Sequence, residues 1–383
     1  MKIETLLVHA GEPQPRIGRA VAMLVFQSST FVEVGDTGYH DVMYARLSNT
    51  PNHDALHAKL AALEGAEAAI VTSSGMSAIS TALLSVLGSG DHLLAQDTLY
   101  GGTHDLLTRD LPRLGIEVSF VDPQAPASWA AQVRRNTKAV YFETLTNPLL
   151  QVADLEAAAA FARQHGLVSL IDNTFASPVG FQPLARGFDL SLHSATKYLN
   201  GHSDLIAGAV MGSTKRIEAV KHKLDHLGGS LDPHACFLLH RGVKTLALRF
   251  RQQSESALRI ARFLAEHRAV SRVNHPGLPS HPQHERAKRL LTGGMGGMLS
   301  FELRGGREAG EALIRSVRIP LHAPSLGGPE TLLTRPAATS HRGLDPEERR
   351  KLGISDGLLR MSVGLEAAED LLQDLADALG GVQ

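Results

Sequence analysis

The stretch from His193 to Val210, HSATKYLNGHSDLIAGAV, sets Lys197 just after the hydroxyls of Ser194 and Thr196 and ahead of a Gly-His-Ser-Asp turn and a small apolar run. A lysine is ordinarily a solvated surface charge, so it is the neighbours that single this one out. Two further places belong with it. Gly75 and Met76 follow the strand-like AAIVTSS and open MSAISTALLSVLG, where a helix N-terminus offers free backbone N–H groups to an anion. Asp172 closes LVSLIDN, where an aspartate is either a helix cap or a functional carboxylate.

Taken singly these are weak signals, because most strand-to-helix turns only connect elements. Together they supply the parts that pyridoxal 5'-phosphate requires. Lys197 can form an imine with the aldehyde. Ser194, Thr196 and the amides at Gly75 and Met76 can surround the phosphate, and Asp172 can keep the pyridine nitrogen protonated so that the ring accepts electrons. The aldehyde and phosphate arms sit on adjacent ring carbons, so a lysine close in sequence to phosphate-binding hydroxyls is geometrically sensible. Lys197 is read as the Schiff-base lysine.

The elements that must position these residues follow from the apolar pattern. From about 56 to 212 the runs AAIVTSS, DHLLAQ, IEVSFVD, KAVYFET, LVSLIDN, LSLH and IAGAVMG alternate with helix-like segments such as DLEAAAAFARQHG, whose Gly166 suits a C-terminal cap. That alternation predicts an α/β fold with a mainly parallel sheet covered on both faces, and in such sheets ligands sit at the carboxyl ends of the strands. Residues 1–55 are rich in turn formers and predict an extended arm. A large domain is expected over 56–235 and a smaller α+β domain over 236–383, after the proline-rich NHPGLPSHPQHERA has broken the pattern.

Composition narrows the functions. Hydrophobic residues make up 43% and charged residues 20%, and the formal net charge is -1, which leaves no basic excess for nucleic acid or an anionic membrane. No apolar run reaches the length of a membrane span. One cysteine, Cys236, excludes an internal disulfide framework and points to a reducing, cytoplasmic setting.

The motifs TLLVHAG, YARLSN, ALEGAEAAIVTSSGMSAI, DTLYGGT, ETLTNPLLQVAD, IDNTFASP, HSATKYLNGHSD, SLGGPETL and LRMSVGLE resemble the Cys/Met-metabolism, or trans-sulfuration, family of pyridoxal phosphate enzymes over nearly the whole chain. The resemblance implies a fold-type I enzyme with a seven-stranded, mainly parallel sheet in its large domain, assembled as a homotetramer, a dimer of dimers with shared active sites. By the same resemblance, Tyr44 and Arg46 reach the cofactor phosphate of the neighbouring subunit. Tyr100 stacks on the ring and takes part in proton transfers. Asn147 and Arg360 hold the substrate's α-carboxylate, with Ser325 supporting that end of the site.

Departures from the family pattern bear on the reaction. Asp105 stands where many relatives carry an arginine. It is expected either to attract the distal ammonium of cystathionine or to cap the following helix. Pro324 replaces the glutamate of many γ-type enzymes, and Gly102 stands where methionine γ-lyases place a reactive cysteine. The expected activity is a carbon–sulfur lyase that acts on cystathionine or a related sulfur amino acid by β- or γ-elimination, releasing ammonia and a 2-oxo acid. The alternative is γ-replacement, in which cysteine adds to an O-acyl-homoserine as in a cystathionine γ-synthase. A cofactor-binding regulatory protein without catalysis would not need Lys197, Tyr100 and Arg360 together. His53 and His57, four residues apart, lack an evident third metal ligand and are expected on a solvated helix face. The 347–351 run EERRK is expected at the surface, and Met295, Met298 and Cys236 in packing roles.

Overall fold

A computed structural model describes residues 1–35, 38 and 42–381. Seven strands form the larger sheet: β1 (Ala68–Thr72), β2 (His92–Gln96), β3 (Glu117–Val121), β4 (Thr137–Glu143), β5 (Val168–Asp172), β6 (Leu190–His193) and β7 (Gly208–Gly212). Their order across the sheet is β1-β7-β6-β5-β4-β2-β3. Pairings among β3, β2, β4, β5 and β6 are parallel, whereas β7 runs antiparallel to both β1 and β6. Every strand except β7 therefore ends at the same edge of the sheet.

The strands read as continuous apolar runs because both faces are covered. In β4 the alternation is direct. Val140 and Phe142 enter the core that also holds Leu155 and Ile171, while Ala139 and Tyr141 enter the opposite core with Leu170 and Leu192. The helix Leu155–His165 begins at Asp154, whose carboxylate accepts the Ala157 N–H, and ends at Gly166 in the left-handed region at φ 64°.

The second sheet has four antiparallel strands in the order β10 (Leu332–Thr334), β11 (Leu359–Ser362), β9 (Met298–Leu303), β8 (Val270–Asn274). The boundary expected at 235/236 falls inside the helix Pro233–Val243, which packs against the helix Pro51–Glu64.

Three sequence expectations are corrected. The arm is not extended throughout, because Ile3–His9 is helical with Leu7 buried. Just beyond that helix Glu12 is buried too, within 2.5 Å of Lys244 and 3.7 Å of Lys59, with Arg16 also paired to it. His53 is buried and His57 half-buried, so they do not form a solvated face. His53 Nδ1 meets Thr50 Oγ1 at 2.8 Å and its Nε2 meets the Leu231 carbonyl at 2.8 Å, while His57 Nε2 accepts the Val71 N–H at 3.0 Å. Burial lowers their pKa values to about 4 and about 3, so both rings are neutral: His53 donates from Nε2 to the Leu231 carbonyl, and His57 accepts from Val71. Among the described residues no cluster of three or more His, Cys, Asp or Glu could hold a metal ion. The EERRK run lies in the short helix Pro346–Lys351, but Arg349 is buried and donates to the Leu344 carbonyl at 2.7 Å. Cys236 and Met298 are buried, and Met295 packs against the core, as packing roles require.

Candidate active site

The shared strand edge opens into a cavity of about 600 Å³. Its walls bring together residues from 74 to 360 in the sequence, drawn from both sheets' sides of the fold. Gly75, Met76, Tyr100, Asn147, Asp172, Ser194, Thr196, Lys197, Ser325 and Arg360, all singled out from the sequence, line it.

One wall is the turn after β1. Ser74 caps the helix Gly75–Val86 by accepting the Ser77 N–H at 3.1 Å. A Cβ at Gly75 would stand 2.8 Å from Ser194 Oγ and 2.7 Å from its Cβ, so only glycine lets the helix N-terminus approach the loop after β6 so closely. A helix N-terminus and the Ser194 side chain thus converge at one point, which fits an anionic phosphate. Thr196 is differently engaged. Its hydroxyl donates to the Ala207 carbonyl at 3.1 Å and accepts the Ala207 N–H at 3.0 Å, so it fixes the loop carrying Lys197.

Asp172 closes β5 at the cavity floor, where its carboxylate accepts the Thr174 N–H at 2.9 Å. Burial raises its pKa, while the bonds from Thr174 and the nearby His193 pull the other way. A cationic ring nitrogen brought beside this carboxylate would favour its ionised form. The Lys197 amine donates to Ser325 Oγ at 2.7 Å, and Ser325 itself sits at φ 96°, a conformation non-glycine residues rarely adopt. Burial, and then the charge of Arg360, bring the Lys197 pKa down to about 8.

Arg360, on β11 and 5% exposed, holds the opposite wall. Its Nη1 donates to Asn147 Oδ1 at 3.1 Å and its Nη2 to the Ser325 carbonyl at 2.9 Å, while Nε is buried with no hydrogen-bond partner. A fixed guanidinium with unsatisfied capacity inside a cavity fits a carboxylate. Burial lowers its pKa to about 10, still well above neutrality.

The remaining sequence candidates lie elsewhere. Arg46 donates to the Asp225 carbonyl at 2.6 Å and lies 5.7 Å over the Tyr44 ring; neither residue lines this chain's own cavity. Asp105 is a correction. It ends the helix Gly101–Asp105, is half exposed, pairs with Arg109 at 3.5 Å, and is absent from the cavity wall. It also makes no capping bond, so the capping role is not realised. A Cβ at Gly102 would come 2.7 Å from the Tyr100 ring and 3.2 Å from Met76 Sδ, so a side chain there would displace the tyrosine.

Sequence reasoning missed Glu143, Thr174, Phe175, Thr339 and Ser340, which also line the cavity. Glu143 carried a usable signal, since it ends β4 as Asp172 ends β5. Thr339 and Ser340 carried none, because they reach the site from a loop of the second sheet's side of the fold.

The Cys/Met metabolism PLP-dependent enzyme family model matches residues 4–380. The chain belongs to that family. It is 42% identical to a cystathionine gamma-lyase of Bacillus subtilis, with all of both chains covered. An L-methionine gamma-lyase of Porphyromonas gingivalis is 43% identical over 98% of this chain and 96% of its own, and a cystathionine beta-lyase of Lactococcus lactis is 41% identical over 98% of each. The solved cystathionine gamma-lyase of Lactobacillus plantarum, complexed with L-serine, superposes with a TM-score of 0.95 at 37% identity and full coverage of both chains. As a member of this family the chain is a pyridoxal phosphate-dependent enzyme with the fold-type I architecture.

Proposed function

We propose that the protein is a carbon–sulfur lyase that eliminates a thiol from cystathionine or a related sulfur amino acid, releasing ammonia and a 2-oxo acid. The observation that carries this reading is the meeting of Lys197 and the Arg360–Asn147 fork through one residue, Ser325, inside one cavity. A base and a carboxylate clamp held at that separation suit an α-amino acid whose Cα proton is to be removed. The relatives named above are all lyases, and γ-replacement by a cystathionine γ-synthase is not favoured.

Pyridoxal phosphate, when bound, supplies an aldehyde for amines and a ring that accepts electrons from Cα. In this reading Gly75, Met76 and Ser194 hold its phosphate while Thr196 fixes the loop that carries Lys197, Asp172 faces its ring nitrogen and Tyr100 its plane. Arg360 and Asn147 grip the substrate carboxylate. The Lys197 amine, with its lowered pKa, takes the Cα proton. Loss of thiol from Cβ follows directly. Loss from Cγ requires in addition the removal of a proton from Cβ, for which Lys197 and Tyr100 are the available groups.

Tyr44 and Arg46 complete the phosphate site of a neighbouring subunit in this proposal, which makes the working unit a dimer and the assembly a homotetramer. Exposed Val21, Val32 and Val34 on the same N-terminal segment suit burial against another copy. Among the described residues no helix is long and apolar enough to cross a membrane, and a cytoplasmic setting accords with the single buried cysteine.

The test is product identification after incubation with cystathionine. Pyruvate with homocysteine establishes β-elimination, and 2-oxobutyrate with cysteine establishes γ-elimination. Neither pair, combined with cystathionine formation from cysteine and an O-acyl-homoserine, overturns the proposal in favour of replacement.

A further inference from the structure

The cavity floor carries two carboxyl groups. Glu143 ends β4 and Asp172 ends β5, and they stand opposite one another in the parallel pairing of those strands. Neighbouring strands run about 4.8 Å apart, so the two side chains leave the same face of the sheet at close range. Both line the cavity, and Glu143 is only 5% exposed.

We propose that Glu143 works as a neutral carboxylic acid, which keeps its proton beside an ionised Asp172 and positions Tyr100 without adding a second negative charge to the cavity floor.

The argument rests on what each carboxyl touches. Glu143 Oε1 accepts the backbone N–H of Tyr100 at 2.8 Å, and its own N–H is held by Gln96 Oε1 at 3.0 Å. The groups that face it are Asp172 from β5, Tyr141 two residues back on its own strand, Gln96 from β2, and the Tyr100 amide at the start of the helix Gly101–Asp105. None of these is a cation, and no ion pair of Glu143 occurs among the described residues. The cations in the cavity wall are engaged elsewhere, Lys197 with Ser325 and Arg360 with Asn147 and Ser325. Asp172 is better provided for, with hydrogen bonds from Thr174 and His193 nearby. Burial and the neighbouring Asp172 together push the Glu143 carboxyl well above the ordinary range. Of two neighbouring carboxyls on one strand register, the buried one without compensating partners, Glu143, retains the proton.

The consequence is a division of labour. Asp172 alone presents charge to the ring nitrogen, and the Glu143 oxygen fixes the backbone that carries Tyr100. Because the proton stays on, Glu143 does not repel the substrate carboxylate gripped by Arg360.

The experiment compares the wild-type holoenzyme with E143Q, which keeps an oxygen acceptor and cannot ionise, and with E143M, which has no acceptor. Infrared spectra near neutral pH should show a protonated-carboxyl C=O band in the wild type that is missing from E143Q. The cofactor's visible absorbance should titrate alike in the two proteins from about pH 6 to 8. E143Q should keep about tenfold or more of kcat relative to E143M, because the amide still accepts from Tyr100. The infrared and absorbance measurements stand even if E143M does not fold. No difference in the carboxyl band, or a pH-dependent spectral step in the wild type that E143Q abolishes, would show that Glu143 is charged and overturn the proposal.

Discussion

Replacing Arg360 with lysine keeps one positive charge and destroys the fork. In the structure Nη1 and Nη2 serve Asn147 and Ser325 at 3.1 and 2.9 Å, and Nε waits in the cavity wall without a partner. A lysine ammonium is a point donor on a flexible stem and cannot hold both partners while also meeting two carboxylate oxygens. The expected loss is that of one charge-assisted hydrogen bond, about 1.5 to 3 kcal/mol, which is roughly a 10- to 150-fold fall in kcat/KM. Because the carboxylate is gripped in the ground state and the transition state alike, most of the change should appear in KM rather than kcat. The charge that helps to lower the Lys197 pKa is retained, so the base should remain competent. Steady-state kinetics with cystathionine, alongside a melting curve to establish folding, give the measurement. A folded R360K enzyme with KM within twofold of wild type would refute the clamp, and a large fall in kcat at unchanged KM would assign Arg360 to the chemical step instead.

Asp105→Asn should scarcely matter: an exposed pair with Arg109 is worth about 0.2 to 1 kcal/mol, and a tenfold fall in kcat/KM for cystathionine would put Asp105 back in the substrate's path. Mixing Arg46→Ala with Lys197→Ala subunits should restore part of the activity that each variant lacks, because one hybrid site keeps both residues; verified hybrids with no recovery would exclude shared sites. Stability should fall as the pH drops from 6.5. His53, His57 and His275 are neutral when folded, with pKa values of about 4, 3 and 3, yet take up a proton near 6.5 once unfolded. Their contribution is complete above 6.5 and is lost as pH falls towards the folded values, about 2 kcal/mol for each at pH 5. A melting temperature that stays flat between pH 6.5 and 5 would contradict this.

Much of the fold was legible in the sequence because a doubly covered sheet writes its strands as apolar runs and its helices as periodic ones. Residues 56–212 carry that signal over seven strands, and the strand-end rule led from it to Gly75, Asp172 and Lys197. These residues stand out through local chemistry: a turn that needs glycine, and a lysine within three residues of two hydroxyls. Local sequence is enough for features of that kind.

Other features were decided only when the chain folded. His53 and His57 look like one polar face of a helix, and what buries them is the Leu231 carbonyl and the Val71 amide, which the tertiary structure brings close. Asp105 lies three residues beyond Gly102, but the turn of its short helix directs it towards Arg109 and solvent. Ser340 meets the cavity because its carbonyl packs where a Cβ of Gly101 would stand, 2.1 Å away, a contact between segments far apart in the chain. The joining of Lys197 to Arg360 through Ser325 is of the same kind, since the three residues come from different elements and no spacing encodes their meeting. The types and local order of the residues proposed to bind the cofactor were therefore set by the sequence alone. Which side chains share the cavity, and which charges survive burial there, depended on distances between strands and helices that only the tertiary structure defines.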